Sequence, residues 1–135
     1  MTHKEDSNME RVFVYGTLRQ GQPNHWRLRG EFVGRGTVYG EMFSIGNGFP
    51  AAVFNSNDII RGEVYEVDAE CMKRLDILEG IDRGLYRKVR IAVHMDNGTF
   101  PVVWAYEGCE SLIENASGKV PGGDWVEGRA ESCRA

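Results

Sequence analysis

A chain of 135 residues suits one domain with a single core and gives no reason to divide it. Hydrophobic residues at 41% and charged residues at 27% exclude a disordered chain, and a net charge of −4 sets the overall field against a nucleic-acid partner. Three cysteines without C-x-x-C spacing and three scattered histidines predict neither a disulfide framework nor a zinc site, so no metal is expected.

Residues 1–10 are polar, with no apolar stretch after a basic start, and read as a flexible tail rather than a secretory leader. No window approaches the roughly 20 apolar residues that a membrane-spanning helix needs, so a soluble, cytoplasmic protein is expected. Arg11 to Tyr15 is a β-branched and aromatic run that stops at Gly16, which predicts a first strand and then a loop through Gly21 and Pro23. A helical turn is expected around His25 to Leu28. The glycine-rich stretch from Glu31 to Phe54 suits curved, bulged strands, and Ile59 to Val67 reads as another strand.

Asp68 can cap a helix over Ala69 to Glu79, where Met72, Leu75 and Leu78 recur at a spacing of three and Gly80 supplies the stop. Val89, Ile91, Val93 and Met95 alternate with polar or small residues. The alternation resumes after Asn97-Gly98 at Phe100, Val102, Trp104 and Tyr106, predicting a hairpin with one buried face. Val120, Pro121 and Trp125 predict a packed C-terminal segment, and residues 129–135 read as a second flexible tail. Many short strands and one principal helix give an α+β domain over residues 11–128, its sheet curled or closed into a β-barrel.

Three segments ask for more than folding. Tyr15-Gly16-Thr17-Leu18 leaves the first strand through a glycine, where backbone N–H groups can converge on an oxyanion or carboxylate, although a glycine turn alone is more often only a turn. Leu75-Asp76-Ile77-Leu78-Glu79-Gly80 puts a carboxylate in the last helical turn. There the helix dipole and apolar neighbours raise its pKa toward that of a general base. Taken alone, a solvated glutamate at a helix end is the simpler reading. Leu85-Tyr86-Arg87-Lys88 precedes the hairpin, and the Tyr86 hydroxyl can orient a substrate or simply pack. Asp76 reads as a structural residue, and Met72, Phe100, Trp104 and Tyr106 as core.

The order and wording of these segments resemble the gamma-glutamylcyclotransferase-like family, including its YtfP-like members. The resemblance rests on Y-G-[ST]-L at Tyr15 to Leu18, L-D-x-x-E-G at Leu75 to Gly80 with Tyr86 following, and G-D-W at Gly123 to Trp125. It implies a small β-barrel flanked by helices and cyclisation of a gamma-glutamyl amine or peptide to 5-oxoproline and free amine, without metal or organic cofactor. Carried onto this chain, it implies Glu79 as general acid/base, the backbone of Tyr15, Gly16, Thr17 and Leu18 as substrate-binding, and Tyr86 as orienting the pocket. The alternatives are a non-catalytic binding or regulatory module that keeps the carboxylate pocket, and a different amide-bond chemistry on the same base. The expected partner is a small gamma-glutamyl substrate, with no nucleic acid and no membrane; the oligomeric state is left open.

Overall fold

The computed structural model describes residues 9–46 and 48–126, apart from the side chain of Pro121. Among the described residues, nine strands, two α-helices and three 3-10 turns make up an α+β fold. The strands are β1 (Met9–Val14), β2 (Gly30–Tyr39), β3 (Glu41–Ile45), β4 (Phe49–Val53), β5 (Ile59–Asp68), β6 (Tyr86–Ala92), β7 (His94–Met95), β8 (Val102–Gly108) and β9 (Ala116–Lys119); the helices are α1 (Ala69–Leu78) and α2 (Glu110–Ile113). Met9 and Glu10, expected in the tail, begin β1, because they pair with Asp68 and Val67 of β5. Residues 1–8 and 129–135 lie outside the described residues.

The main sheet runs β6-β8-β1-β5-β2-β7, and a second sheet runs β4-β3-β9. Chain neighbours β6 and β7 form the two edges, so the sheet curls but no ladder closes it; the β-barrel expectation is corrected to an open, curled sheet. The curl is helped by a register shift between Phe32 and Gly34 in β2, of the kind that bends a strand. Alternation along β1 then divides the core. Val12 and Val14 pack with Met72 and Leu75 of α1, whereas Phe13 joins Ile60, Val64 and Val103 on the opposite face.

The predicted hairpin forms, with Val89 opposite Ala105 and Arg90 opposite Trp104. Its burial differs from the prediction. Val103 and Ala105 are buried on one face and Tyr106 on the other, while Phe100 and Val102 are exposed at 63% and 54%. A strand covered on both faces loses the simple alternation, and Phe100 lies before the start of β8, its ring tilted against that of His94 with centres 4.5 Å apart.

One buried ionic cluster joins distant parts of the chain. Arg19 Nε donates to Glu63 Oε2 at 2.9 Å and Nη1 to Asp124 Oδ1 at 2.8 Å. Glu63 Oε1 also accepts from the Gln20 N–H and the Tyr65 hydroxyl, both at 2.9 Å, and Asp124 Oδ1 accepts from the Val126 N–H at 3.1 Å. Arg19→Met keeps the side-chain length but leaves two buried carboxylates facing each other. It should cost about 3–5 kcal/mol in denaturant unfolding, the usual penalty for breaking a buried pair from one side.

Candidate active site

β1 ends at Val14 and the chain turns sharply at Gly16. A Cβ added at Gly16 would lie 2.8 Å from Cδ of Pro50, so only glycine lets this loop approach β4. The loop's carbonyls are satisfied internally: Arg19 N–H donates to Gly16 O at 3.0 Å and Asn24 N–H to Thr17 O at 2.9 Å, and His25 Nδ1 lies 2.9 Å from Leu18 O. Its donors are not. The N–H groups of Gly16, Thr17 and Leu18 engage no acceptor among the described residues.

On the opposite wall, Asp68 caps α1 by accepting from the Cys71 N–H at 2.7 Å, and the helix runs until Glu79 becomes its C-cap. Gly80 then adopts the left-handed conformation at φ +66, and the Leu85 N–H returns to Gly80 O at 3.1 Å. That tight return carries Leu85 and Tyr86 back beside Glu79. A cavity of about 230 Å³ lies between the two walls, and Tyr15, Gly16, Thr17, Leu18, Glu79 and Tyr86 all line it. Asn24, Phe49, Pro50, Leu78, Leu85 and Tyr106 line it too.

The Glu79 carboxylate makes no hydrogen bond or ion pair among the described residues. Its outer surface opens onto the cavity, so the side chain is only half-buried, yet protein surrounds it closely enough to strip most of its hydration. That desolvation raises its pKa from 4.5 to about 7. Loss of water is the cause, and the helix dipole invoked from the sequence is not needed.

The tyrosines tie the walls of the cavity together. The Tyr86 hydroxyl donates to Pro50 O at 2.8 Å and so anchors β4, and Tyr86 also lines the cavity. The Tyr15 hydroxyl donates to Tyr106 O at 2.6 Å and accepts from the Ala52 N–H at 3.2 Å, tying β1, β8 and β4 together. Burial pushes the pKa of all three phenols, Tyr15, Tyr86 and Tyr106, upward, which keeps them neutral. Asp76 accepts from the Tyr106 hydroxyl at 2.6 Å and pairs with Lys88 at 3.3 Å, a structural role as expected. Asn24, Pro50 and Tyr106 were not singled out as site residues. Tyr106 was readable only as one aromatic among several, and nothing in the local sequence marks the other two. Among the described residues no group of three or more His, Cys, Asp or Glu is placed to hold a metal ion, and no helix is long and apolar enough to cross a membrane.

Fold and cavity together define a small α+β domain with a cavity walled by a glycine loop and a desolvated carboxylate. The sequence profile of the family described as gamma-glutamyl cyclotransferase, AIG2-like, matches residues 12–127, and the chain belongs to that enzyme family. It is 38% identical over 117 residues to a Methanocaldococcus jannaschii protein that carries the gamma-glutamylcyclotransferase name provisionally, covering 82% of this chain and 97% of that one. It is 34% identical over 105 residues to the gamma-L-glutamyl-butirosin B gamma-glutamyl cyclotransferase of Niallia circulans, covering 73% and 66%. The crystal structure of an uncharacterized Pyrococcus horikoshii protein superposes with a TM-score of 0.71 at 31% identity, covering 93% of this chain and 97% of that one.

Glu79 links the site to stability. Its native pKa of about 7 exceeds the ordinary 4.5, so between these values the folded chain holds a proton that the unfolded chain has released. Stability should therefore fall as the pH rises from about 4.5 to about 7 and level off above. Glu79→Gln removes this loss. Thermal melts should show the variant close to wild type at pH 5 and more stable than wild type at pH 8; an equal difference at both would show that the carboxylate is not desolvated.

Proposed function

We propose that this chain cyclises a gamma-glutamyl compound to 5-oxoproline and free amine, with Glu79 as general acid/base. The observation that carries the reading is an unpaired, desolvated carboxylate facing three unengaged backbone N–H groups across one cavity. The Niallia circulans relative acts, by its name, on a gamma-glutamyl amide, and membership of the same family supports the same bond as the target here.

The chemistry follows from the two walls. Glu79 enters as the carboxylate and takes a proton from the substrate's α-ammonium. The freed nitrogen attacks the side-chain amide carbon, and a new C–N bond closes the five-membered ring. Charge that builds on the amide oxygen is met by the N–H groups of Gly16, Thr17 and Leu18. As the old C–N bond breaks, Glu79 returns its proton to the departing nitrogen. The second proton of the attacking nitrogen leaves through the same carboxylate and ends on the released amine. Holding amine and carbonyl together in a closed pocket supplies the proximity that ring closure needs. A pKa of about 7 suits both halves of this cycle, since neither protonation state of Glu79 is far from reach at neutral pH.

Two measurements test the reading. The rate of 5-oxoproline release from a panel of gamma-glutamyl amines and dipeptides should rise with pH as Glu79 ionises, and kcat/KM should bend near pH 7. Glu79→Gln should stay folded and lose about 10²–10⁴-fold in kcat. A folded variant that releases 5-oxoproline at near the parental rate would rule Glu79 out. Tight binding of the panel with no product from the wild type would make the domain a binding module, and amine release without 5-oxoproline would indicate a different amide chemistry.

A further inference from the structure

A second cleft of about 260 Å³ lies next to the cavity, walled by Trp26, Arg27, Arg29, Arg74, Leu75 and Leu78. Two residues join it to the first. Leu78 lines both, and Asn24, which lines the cavity, accepts from Arg27 Nε through Oδ1 at 3.2 Å while its Nδ2 donates to Thr17 Oγ1 at 3.0 Å. The cleft therefore continues from the same loop and the same helix end that form the proposed reaction site.

Its chemistry is unlike that of the cavity. Three arginines line it in a chain of net charge −4, and no carboxylate is among the residues that line it. Glu70 pairs with Arg74 at 3.1 Å, and both partners of that pair are exposed, so the bond is weak and open to exchange. Trp26 is 66% exposed and holds the Arg27 guanidinium 4.5 Å from its ring centre, an orienting contact for the cation. Planar guanidinium groups match carboxylates through paired N–H donors, and the contacts of Arg27 and Arg74 here are exposed single bonds that leave further donors for a ligand.

We propose that this cleft is the subsite for the departing amine and that it selects gamma-glutamyl compounds whose amine part carries a carboxylate. The inference rests on the cyclotransferase reading of the neighbouring cavity.

The test uses gamma-glutamyl derivatives of linear ω-amino acids of increasing chain length, each paired with its carboxamide, which has the same shape and no charge. With the wild-type chain, kcat/KM for 5-oxoproline release should favour the acid over its amide by about tenfold or more at the chain length that reaches the cleft. In the Arg29→Gln/Arg74→Gln double variant that ratio should fall toward one, mostly through KM of the acid. Equal use of acid and amide at every length, or a ratio unchanged in the double variant, overturns the subsite while leaving the cyclotransferase reading intact. If no compound yields 5-oxoproline, that reading fails instead, and calorimetry with the same pairs decides the cleft separately: tighter binding of the acid, lost in the double variant, supports it, and equal or absent binding overturns it.

Discussion

Arg19 lies at the end of the loop that walls the cavity and grips one carboxylate from the middle of β5 and another from beyond β9. A buried guanidinium cannot give up its charge, so both carboxylates must stay close to it; the second oxygen of Glu63 is used by Gln20 and Tyr65, and Asp124 Oδ1 also accepts from Val126. The loop is therefore fixed from behind. That fixation leaves the front of the loop, with its unengaged N–H groups, free to face the cavity without collapsing onto a protein acceptor. The tyrosine bonds extend the same logic, since Tyr15 and Tyr86 spend their hydroxyls on backbone carbonyls and hold β4 against the loop.

The opposite wall depends on removing water rather than on adding partners. A carboxylate that accepted several hydrogen bonds would stay acidic, as Glu41 does, held at a pKa of about 2 by Lys119, Asn57 and Asn55. Glu79 has no such partners and is pushed the other way, to about 7. Two glutamates of one chain thus differ by environment alone, and the difference separates a surface anchor from a group able to move a proton near neutral pH.

On the proposed reading, cavity and arginine cleft divide the recognition between them. The gamma-glutamyl part of a substrate would present the same atoms in every case, and the loop and Glu79 would face that constant part. Variation among substrates lies in the amine, and the neighbouring surface that would meet it is built from long, exposed, cationic side chains around Trp26. Such a rim can change its charge without disturbing Arg19 or the core.

The sequence by itself determined the local structure wherever a short-range rule applies. Asp68 capped α1, Gly80 ended it in the left-handed conformation, and Asn97-Gly98 turned the hairpin, because each depends on neighbours a few residues away. The motifs Tyr15 to Leu18 and Leu75 to Gly80 also carried the family, and the seven residues they and Tyr86 contribute meet at one cavity. What the tertiary structure decided is everything that joins distant segments. Nothing near Arg19 in sequence announces Glu63 or Asp124, which are 44 and 105 residues away. Nothing near Tyr86 announces that its hydroxyl is bonded to Pro50, and Phe100 looked buried until β8 proved to begin after it and to be covered on both faces. Whether the sheet closes, and how far Glu79 is stripped of water, depends on the same long-range packing. Periodicity and turn chemistry report one strand or helix at a time, whereas desolvation and buried charge are properties of the whole assembly.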